Sequence, residues 1–566
     1  AEDIPKQQNY WGLMFKDERV FASGIVEYHG QVIGGLLCVD QQLGQKALAN
    51  LKIEYQHLSP HVLNLKHAKE VLNKDLDSLD SFGGSISLVR KQEESKSDSD
   101  LELSGTLRIG GVEHFYMEPH TVLAIPGTEK EELVLHFSTQ EVCNVQEQLA
   151  FVTGLPMHKI IVKNKRAGGA FGGKERMHVA LIAAVAARKY QRPVRLALSR
   201  KEDMEISGQR PESVVDYKVK VDRSSGVITA ADFLALCNAG ISADLSIPWI
   251  LMLMMRIDGG YTLRHFKGQG KALRTNSPSN TAFRGFGGPE GAIYSEILMD
   301  RIAQELNLPV LSVKHANLTR EGDLLHYGQS RVRGCTLEQC WQECLDKSQY
   351  ALKEEAIYAF NTKNKRVKRG LSIVPIKFTP SMMTKSAMKG SALVRVYPDG
   401  TVLLCHGGIE MGQGLHTKMI QVAATALGIN PQWIHINETS TETLANTSPT
   451  GGSSGTDLNG PAVLDACQIV NARLEPFKKL DPSGSWMSWV QAALQARVCL
   501  TVVGHYDKSP VDYDPVTQTG DPFAYFTYGC CAVQAEVKPG IQRRTPHPLQ
   551  SRGSRHSHHR FGKDIG

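Results

Sequence analysis

The sequence predicts an α+β chain of several domains, and three observations carry that reading. At 566 residues the chain is too long for one core and suits about three or four domains. Strand-like and helix-like stretches alternate along it. Four glycine-rich loops recur, and they end in helical stretches in two successive blocks. The loops are Arg166-Ala-Gly-Gly-Ala-Phe-Gly-Gly-Lys-Glu175, Arg284-Gly-Phe-Gly-Gly-Pro-Glu-Gly291, His406-Gly-Gly-Ile-Glu-Met-Gly-Gln-Gly414 and Thr450-Gly-Gly-Ser-Ser-Gly-Thr-Asp457. Glycine permits positive φ and close backbone approach, so such loops turn N–H groups toward an anion. A helix N-terminus beside them adds to the attraction. Four together predict one large phosphate-bearing cofactor gripped from several sides.

Taken in order, residues 1–100 predict a small α/β domain, with a strand at Val32-Ile-Gly-Gly-Leu-Leu-Cys-Val39 and a helix at 43–51. Residues 75–100 are acidic and serine-rich and predict a flexible surface excursion. A strand is expected at 157–163, then the first glycine loop and an alanine-rich helix at 177–190. The second loop runs into a helix at 292–306. A Lys/Arg-rich connector, 363–369, marks a domain boundary, giving a second unit at 101–345 and a third at 346–537. In the third, 392–397 and 401–404 flank a Pro-Asp-Gly turn and predict a hairpin. The third and fourth loops open helices at 415–427 and 458–473. Residues 538–566 are expected to be a disordered, basic, histidine-rich tail.

Composition narrows the function. The net charge is +6, but residues 538–566 hold seven Lys/Arg against Asp564 alone. The first 537 residues therefore keep 57 of the 64 bases and 57 of the 58 acids. A neutral body with a basic tail argues against a nucleic-acid surface. No apolar run approaches the ~20 residues of a membrane span. The opening Ala-Glu-Asp-Ile-Pro shows neither an initiator Met nor a signal-peptide pattern, as expected of a piece of a larger polypeptide. Eleven cysteines show no metal-type spacing, and they fit structural thiols in a reducing, cytoplasmic compartment.

Gly168-Gly-Ala-Phe-Gly-Gly173-Lys174 meets half of a P-loop pattern between a strand and a helix. Glu175 then stands where Mg²⁺ binding needs Ser or Thr, which weighs against an ATPase. Glu175 has two readings, a substrate-facing acceptor or a first-turn acid complementing the helix dipole. Arg284 is a site residue or a structural fork. Phe286, between glycines, is a stacking platform or a plug into the core.

The motifs Gly110-Gly-Val-Glu-His-Phe-Tyr-Met-Glu118, Gly168–Glu175, Thr281-Ala-Phe-Arg-Gly-Phe-Gly-Gly288, Glu410-Met-Gly-Gln-Gly-Leu-His-Thr-Lys418 and Asp457-Leu-Asn-Gly460 together resemble the molybdenum hydroxylases. The resemblance is to the molybdopterin-binding part of the xanthine dehydrogenase and aldehyde oxidase family, and it covers residues 1 to about 537. It implies a hammerhead-like domain followed by two molybdopterin-binding domains, the second incomplete. It also implies a molybdenum–molybdopterin cofactor without a protein side-chain ligand, with two [2Fe–2S] clusters and FAD elsewhere in the parent, and a homodimer. Gly412, Gln413 and Gly414 would cradle the pterin, with Gly451, Gly452 and Ser453 opposite. Val112, Phe171, Gly172, Arg284 and Gly452 would lie near the metal. Glu175 matches the glutamate that orients purines, and Phe286, Ala282, Met252, Met382 and Met383 would line the substrate slot.

Four departures qualify the resemblance. Val112 stands where the family has a glutamine. Met382 replaces a second aromatic. Met252 replaces an arginine that stabilises substrate charge, while Arg256, one helical turn on, reads as surface or structural. The family's catalytic glutamate sits in a Gly-Glu-Pro-Pro motif, which this sequence lacks. The similarity stops after Tyr525-Phe-Thr-Tyr-Gly-Cys-Cys-Ala-Val-Gln-Ala-Glu-Val537, and the tail beyond it reads as a product of a shifted frame. The expected activity is hydroxylation of hypoxanthine and xanthine to urate with water as oxygen donor, and the chain by itself is expected not to turn over. An aldehyde oxidase-type hydroxylase of aldehydes and N-heterocycles and a non-catalytic binding remnant are the alternatives.

Overall fold

Four sheets of three to five strands, each backed by helices, carry most of the protein in its computed structural model. The structure describes residues 3–71, 73–90, 100–127, 129, 131–327, 331–514, 516–538 and 545–548. In the first five-stranded sheet, Ser81–Arg90, His265–Arg274, Ile228–Gly240, Ser213–Asp222 and Asp100–Ile109 lie in that spatial order. Ile228–Gly240 and His265–Arg274 are parallel, which requires a crossover, and the helix Ser246–Arg256 provides it. That helix is apolar on every side because every side is buried; Trp249, Met252 and Met254 all enter the same core.

The second five-stranded sheet has the order Thr439–Ser440, Ile160–Asn164, Leu133–Phe137, Thr121–Pro126, Val194–Ala197. Helix Val142–Thr153 crosses between the parallel pair Leu133–Phe137 and Ile160–Asn164. The edge strand comes from far along the chain: Thr439 pairs with Asn164 and Ser440 with Lys163. This pairing fastens the later half of the protein beside the start of the first glycine loop.

The predicted hairpin forms as Gly390–Val396 and Val402–His406. It extends to a four-stranded sheet with Thr501–Tyr506 and Ile434–Ile436, covered by helices Leu415–Leu427 and Gly455–Leu480. A three-stranded sheet joins Lys368–Phe378, Thr527–Val537 and Thr545–Pro548. No helix among the described residues is long and apolar enough to cross a membrane.

The structure corrects several expectations. Residues 32–39 form no strand; Ile33, Leu36, Leu37 and Val39 are exposed, and a strand without a hydrogen-bonding neighbour is not held. Within 75–100, Ser81–Arg90 is not a loose excursion but a strand paired to His265–Arg274. It also joins residues assigned to the first domain to the sheet of the second. The helix expected at 458–473 runs Gly455–Leu480. In the tail, Thr545–Pro548 pair with Glu536 to Val533, while the remaining expected disorder lies outside the described residues.

Candidate cofactor and substrate site

All four glycine loops meet at one place. Arg284 N–H donates to the Phe171 carbonyl at 2.9 Å, joining the second loop to the first. Ala167 N–H donates to the Glu410 carbonyl at 2.9 Å, joining the first to the third, and Ile409 N–H donates to Thr450 Oγ1 at 2.8 Å, joining the third to the fourth. The glycines are needed at these crossings. Gly172 has φ +107, and a Cβ there would lie 2.2 Å from the Ala282 carbonyl oxygen. Gly452 has φ +60, and its Cβ would lie 2.8 Å from both Met382 Cγ and Ser381 O.

One side chain closes the arrangement. The Gln140 carboxamide accepts from Gly172 N–H at 2.9 Å, donates to the Thr450 carbonyl at 2.9 Å and makes a longer contact, 3.4 Å, with Glu175 Oε1. Gln140 is buried and sits just before the helix Val142–Thr153. Its partners stand 32 to 310 residues away, so no local sequence signal exposes it.

Lys174 is turned inward. It is fully buried, with Nζ 2.8 Å from Glu118 Oε2 and 2.7 Å from Ser138 Oγ. An ammonium so held is not available to a nucleotide phosphate, and the P-loop reading falls. Glu175 also departs from the dipole reading. It ends a 3₁₀ turn, Gly173–Glu175, ahead of the helix His178–Tyr190, and it is only 7% exposed. Its Oε1 lies 3.4 Å from a Cβ built on Gly451, a position that Met382 Sδ also borders at 3.9 Å. Burial first, then the neighbouring Glu141 and Asp244, push the Glu175 carboxyl well above the ordinary range.

The third loop is organised by an internal anion. Glu410 accepts from Gly412 N–H at 2.8 Å, Gly414 N–H at 3.1 Å and His416 N–H at 2.9 Å. Burial works against this carboxylate, but the three N–H donors outweigh it and hold its pKa low. The backbone donors of Gly412 and Gly414 are thus already engaged, contrary to a simple anion cradle. Their outer faces are open, with no atom within 4 Å of a built Cβ. Gln413 shapes the loop as well, accepting from Met411 N–H and donating to the Ile409 carbonyl.

The remaining predicted residues divide by exposure. Val112, Phe171, Arg284, Gly412, Gln413, Gly452 and Ser453 are exposed, while Phe286, Met382 and Met383 are half-buried. Ala282 is buried and offers its carbonyl to His114 Nε2 at 2.6 Å. Met252 is 2% exposed and belongs to the apolar core; its carbonyl carbon backs onto Gly287 rather than opening to a slot. Arg256 is structural, bonding Thr379 and the carbonyls of Gly285 and Phe286. Phe171, Phe286, Met383 and Ser453 all have positive φ, a conformation that non-glycine residues adopt at some cost and that gathers at functional sites.

A model of the molybdopterin cofactor-binding domain matches residues 88–318, and a second of the same description matches 343–543. The chain belongs to the molybdenum hydroxylase family. It is 42% identical over 541 residues to xanthine dehydrogenase/oxidase of Mus musculus, covering 95% of this chain and 40% of that protein. Aldehyde oxidase 2 of Mus musculus is 38% identical over 539 residues, 95% of this chain and 39% of that protein. Among solved structures, the aldehyde oxidoreductase from Desulfovibrio gigas superposes with a TM-score of 0.82 at 21% identity, over 96% of this chain and 60% of that one. The chain therefore spans about two-fifths of the curated relatives it matches.

The site's chemistry fits the family's molybdenum–molybdopterin cofactor. Glycine faces at 412 and 414 leave room for a flat ring system, and the loops lead into the N-termini of helices Gly288–Leu306, Leu415–Leu427 and Gly455–Leu480, favourable ends for a phosphate. No group of three or more His, Cys, Asp or Glu suited to a metal ion occurs among the described residues.

Proposed function

We propose that this chain is the molybdenum-cofactor portion of a xanthine dehydrogenase-like oxidoreductase that hydroxylates purines, hypoxanthine and xanthine to urate, with water as oxygen donor. The observation that carries the reading is Glu175. It is a buried carboxyl at the crossing of the first and fourth loops, against Gly451 and Met382, where a ring N–H or carbonyl of a purine could be held. Gly412, Gln413 and Gly414 would hold the pterin from one side and Gly451, Gly452 and Ser453 from the other. Val112, Phe171, Gly172 and Arg284 would border the metal end. The bound cofactor supplies the two-electron oxidation. The protein's own residues fix the ring's orientation, with Glu175 on one edge and Phe286, Met382 and Met383 against its faces. Ala282 contributes backbone, and Met252 supports the slot from within the core. The longer parent would carry two [2Fe–2S] clusters and FAD, act as a homodimer and reside in the cytoplasm. The sequence holds no Gly-Glu-Pro-Pro segment, so this chain alone is expected not to turn over.

Ligand binding therefore tests the proposal better than turnover. With the molybdopterin-loaded protein, calorimetry should show hypoxanthine binding that Glu175→Ala weakens by roughly twofold to tenfold, the worth of a neutral hydrogen bond of about 0.5–1.5 kcal/mol. Tighter binding of benzaldehyde, indifferent to Glu175→Ala, would favour the aldehyde oxidase-type alternative. A protein that folds but retains no pterin would be a binding remnant instead.

A further inference from the structure

The third loop leaves the strand Val402–His406 and runs into the helix Leu415–Leu427, and a buried histidine stands at each end of it. His406 is 1% exposed and His416 5%. Their rings meet edge-on with centroids 5.0 Å apart, and His406 Nε2 lies 2.9 Å from His416 Nδ1. The outer nitrogens are engaged as well. Gly408 N–H donates to His406 Nδ1 at 3.1 Å, and His416 Nε2 lies 3.1 Å from the Lys165 carbonyl oxygen. A backbone N–H only donates and a carbonyl only accepts, so the two ends fix the hydrogens between them. His406 carries its hydrogen on Nε2 and donates it to His416 Nδ1. His416 carries its own on Nε2 and donates it to Lys165. Both rings are neutral in this order, because an added proton on either Nδ1 would face another donor.

We infer that His406 and His416 are positioning residues for the third loop: their paired neutral rings close its base and fasten it to the residues that open the first loop. The pair acts beside the bond from Ala167 N–H to the Glu410 carbonyl, which joins the same two segments. The Glu410 carboxylate also holds His416 N–H at 2.9 Å, which sets where the second ring begins. Burial lowers the proton affinity of His416 most; the Lys165 carbonyl and Glu410 raise it, and the Arg166 and Lys165 cations lower it. Burial, then the His416 ring, take His406 down to about 3. From the helix Gly455–Leu480 the neutral Asn459 stands beside Gly407 and Gly408. Thr439, from the edge strand, donates to the His406 carbonyl at 3.2 Å. The worth of this clasp to a pterin rests on the functional reading above; its hydrogen order and its hold on the loop do not.

Two measurements without ligand test it on this chain. Nitrogen-15 spectra of histidine-labelled protein, assigned with His406→Asn and His416→Gln, should show hydrogen on Nε2 of both rings and a scalar coupling across the bond between them. Both rings should stay neutral at about pH 5.5, a unit below the ordinary histidine value of about 6.5. Amide exchange then reads the hold on the loop. His406→Phe and His416→Phe should speed exchange at Ala167 and through 407–414 by about tenfold or more, the effect of losing roughly one hydrogen bond. His416→Gln, whose amide can still donate to the Lys165 carbonyl, should fall between, and His406→Asn serves where a phenylalanine variant does not fold. A merely structural pair would lower the melting temperature without singling out these amides. Hydrogen on either Nδ1, a charged ring at that pH, an absent coupling, or folded variants with unchanged exchange at Ala167 and 407–414 would overturn the inference. Molybdopterin titration of the same variants, expected to be about tenfold weaker, adds the functional arm. A wild type that binds no pterin would sink the functional reading and leave the exchange result standing.

Discussion

Gln140 joins two glycine loops through a single carboxamide, and no feature of the sequence around it advertises that role. Ser138, Thr139 and Gln140 form an unremarked polar junction between a strand and a helix, and the partners Gly172 and Thr450 lie in distant motifs. Glycine spacing and the carboxylate after Lys174 are local patterns, so Glu175 and the loops were legible. Gln140 and the internal carboxylate Glu410 become visible only once loops far apart in sequence are folded together. Met252 shows the opposite limit. The family resemblance places it at the slot, whereas the structure puts it on an all-apolar helix buried in the core. Replacing Gln140 by Ala leaves the Gly172 N–H and the Thr450 carbonyl without their partner in a buried setting. Each unsatisfied group costs about 1–3 kcal/mol, so Gln140→Ala should lower unfolding free energy by about 2 kcal/mol or more in urea titration. A loss under ~0.5 kcal/mol would remove Gln140 from the centre of the arrangement.

At the scale of elements, what was legible followed from local periodicity, and what was missed depended on a remote neighbour. The helix at 415–427 has the expected ends, since Gly414 and Gly428 bracket it in left-handed conformation. The stretch 32–39 has strand composition but no strand partner, whereas the serine-rich Ser81–Arg90 becomes a strand because His265–Arg274 offers an edge. Loop crossings obey the same rule. Gly172 and Gly412 have nearly equal positive φ, +107 and +105, but a Cβ on Gly172 strikes the Ala282 carbonyl while one on Gly412 meets open space. Both alanine variants should suffer backbone strain of about 1–3 kcal/mol. Gly172→Ala should in addition separate the first two loops, giving a distinctly lower melting temperature and less retained pterin than Gly412→Ala. Equal effects on the two would mean that the first and second loops are not packed as described.

For the whole molecule, the decisive feature is that residues from 140 to 455 are drawn to one crossing. The edge pairing of Thr439 and Ser440 with Asn164 and Lys163 and the hydrogen bonds between loops fix it. Sequence alone could name the loops and the family they resemble, but convergence is a property of the assembled sheets. The most direct measurement is hydrogen exchange on the protein with and without bound molybdopterin, resolved to the four loops. If they enclose one cofactor, amides in 166–175, 284–291, 406–414 and 450–457 should gain protection together, at a common ligand concentration. Protection confined to one loop, or arising at separate concentrations, would contradict a single shared site.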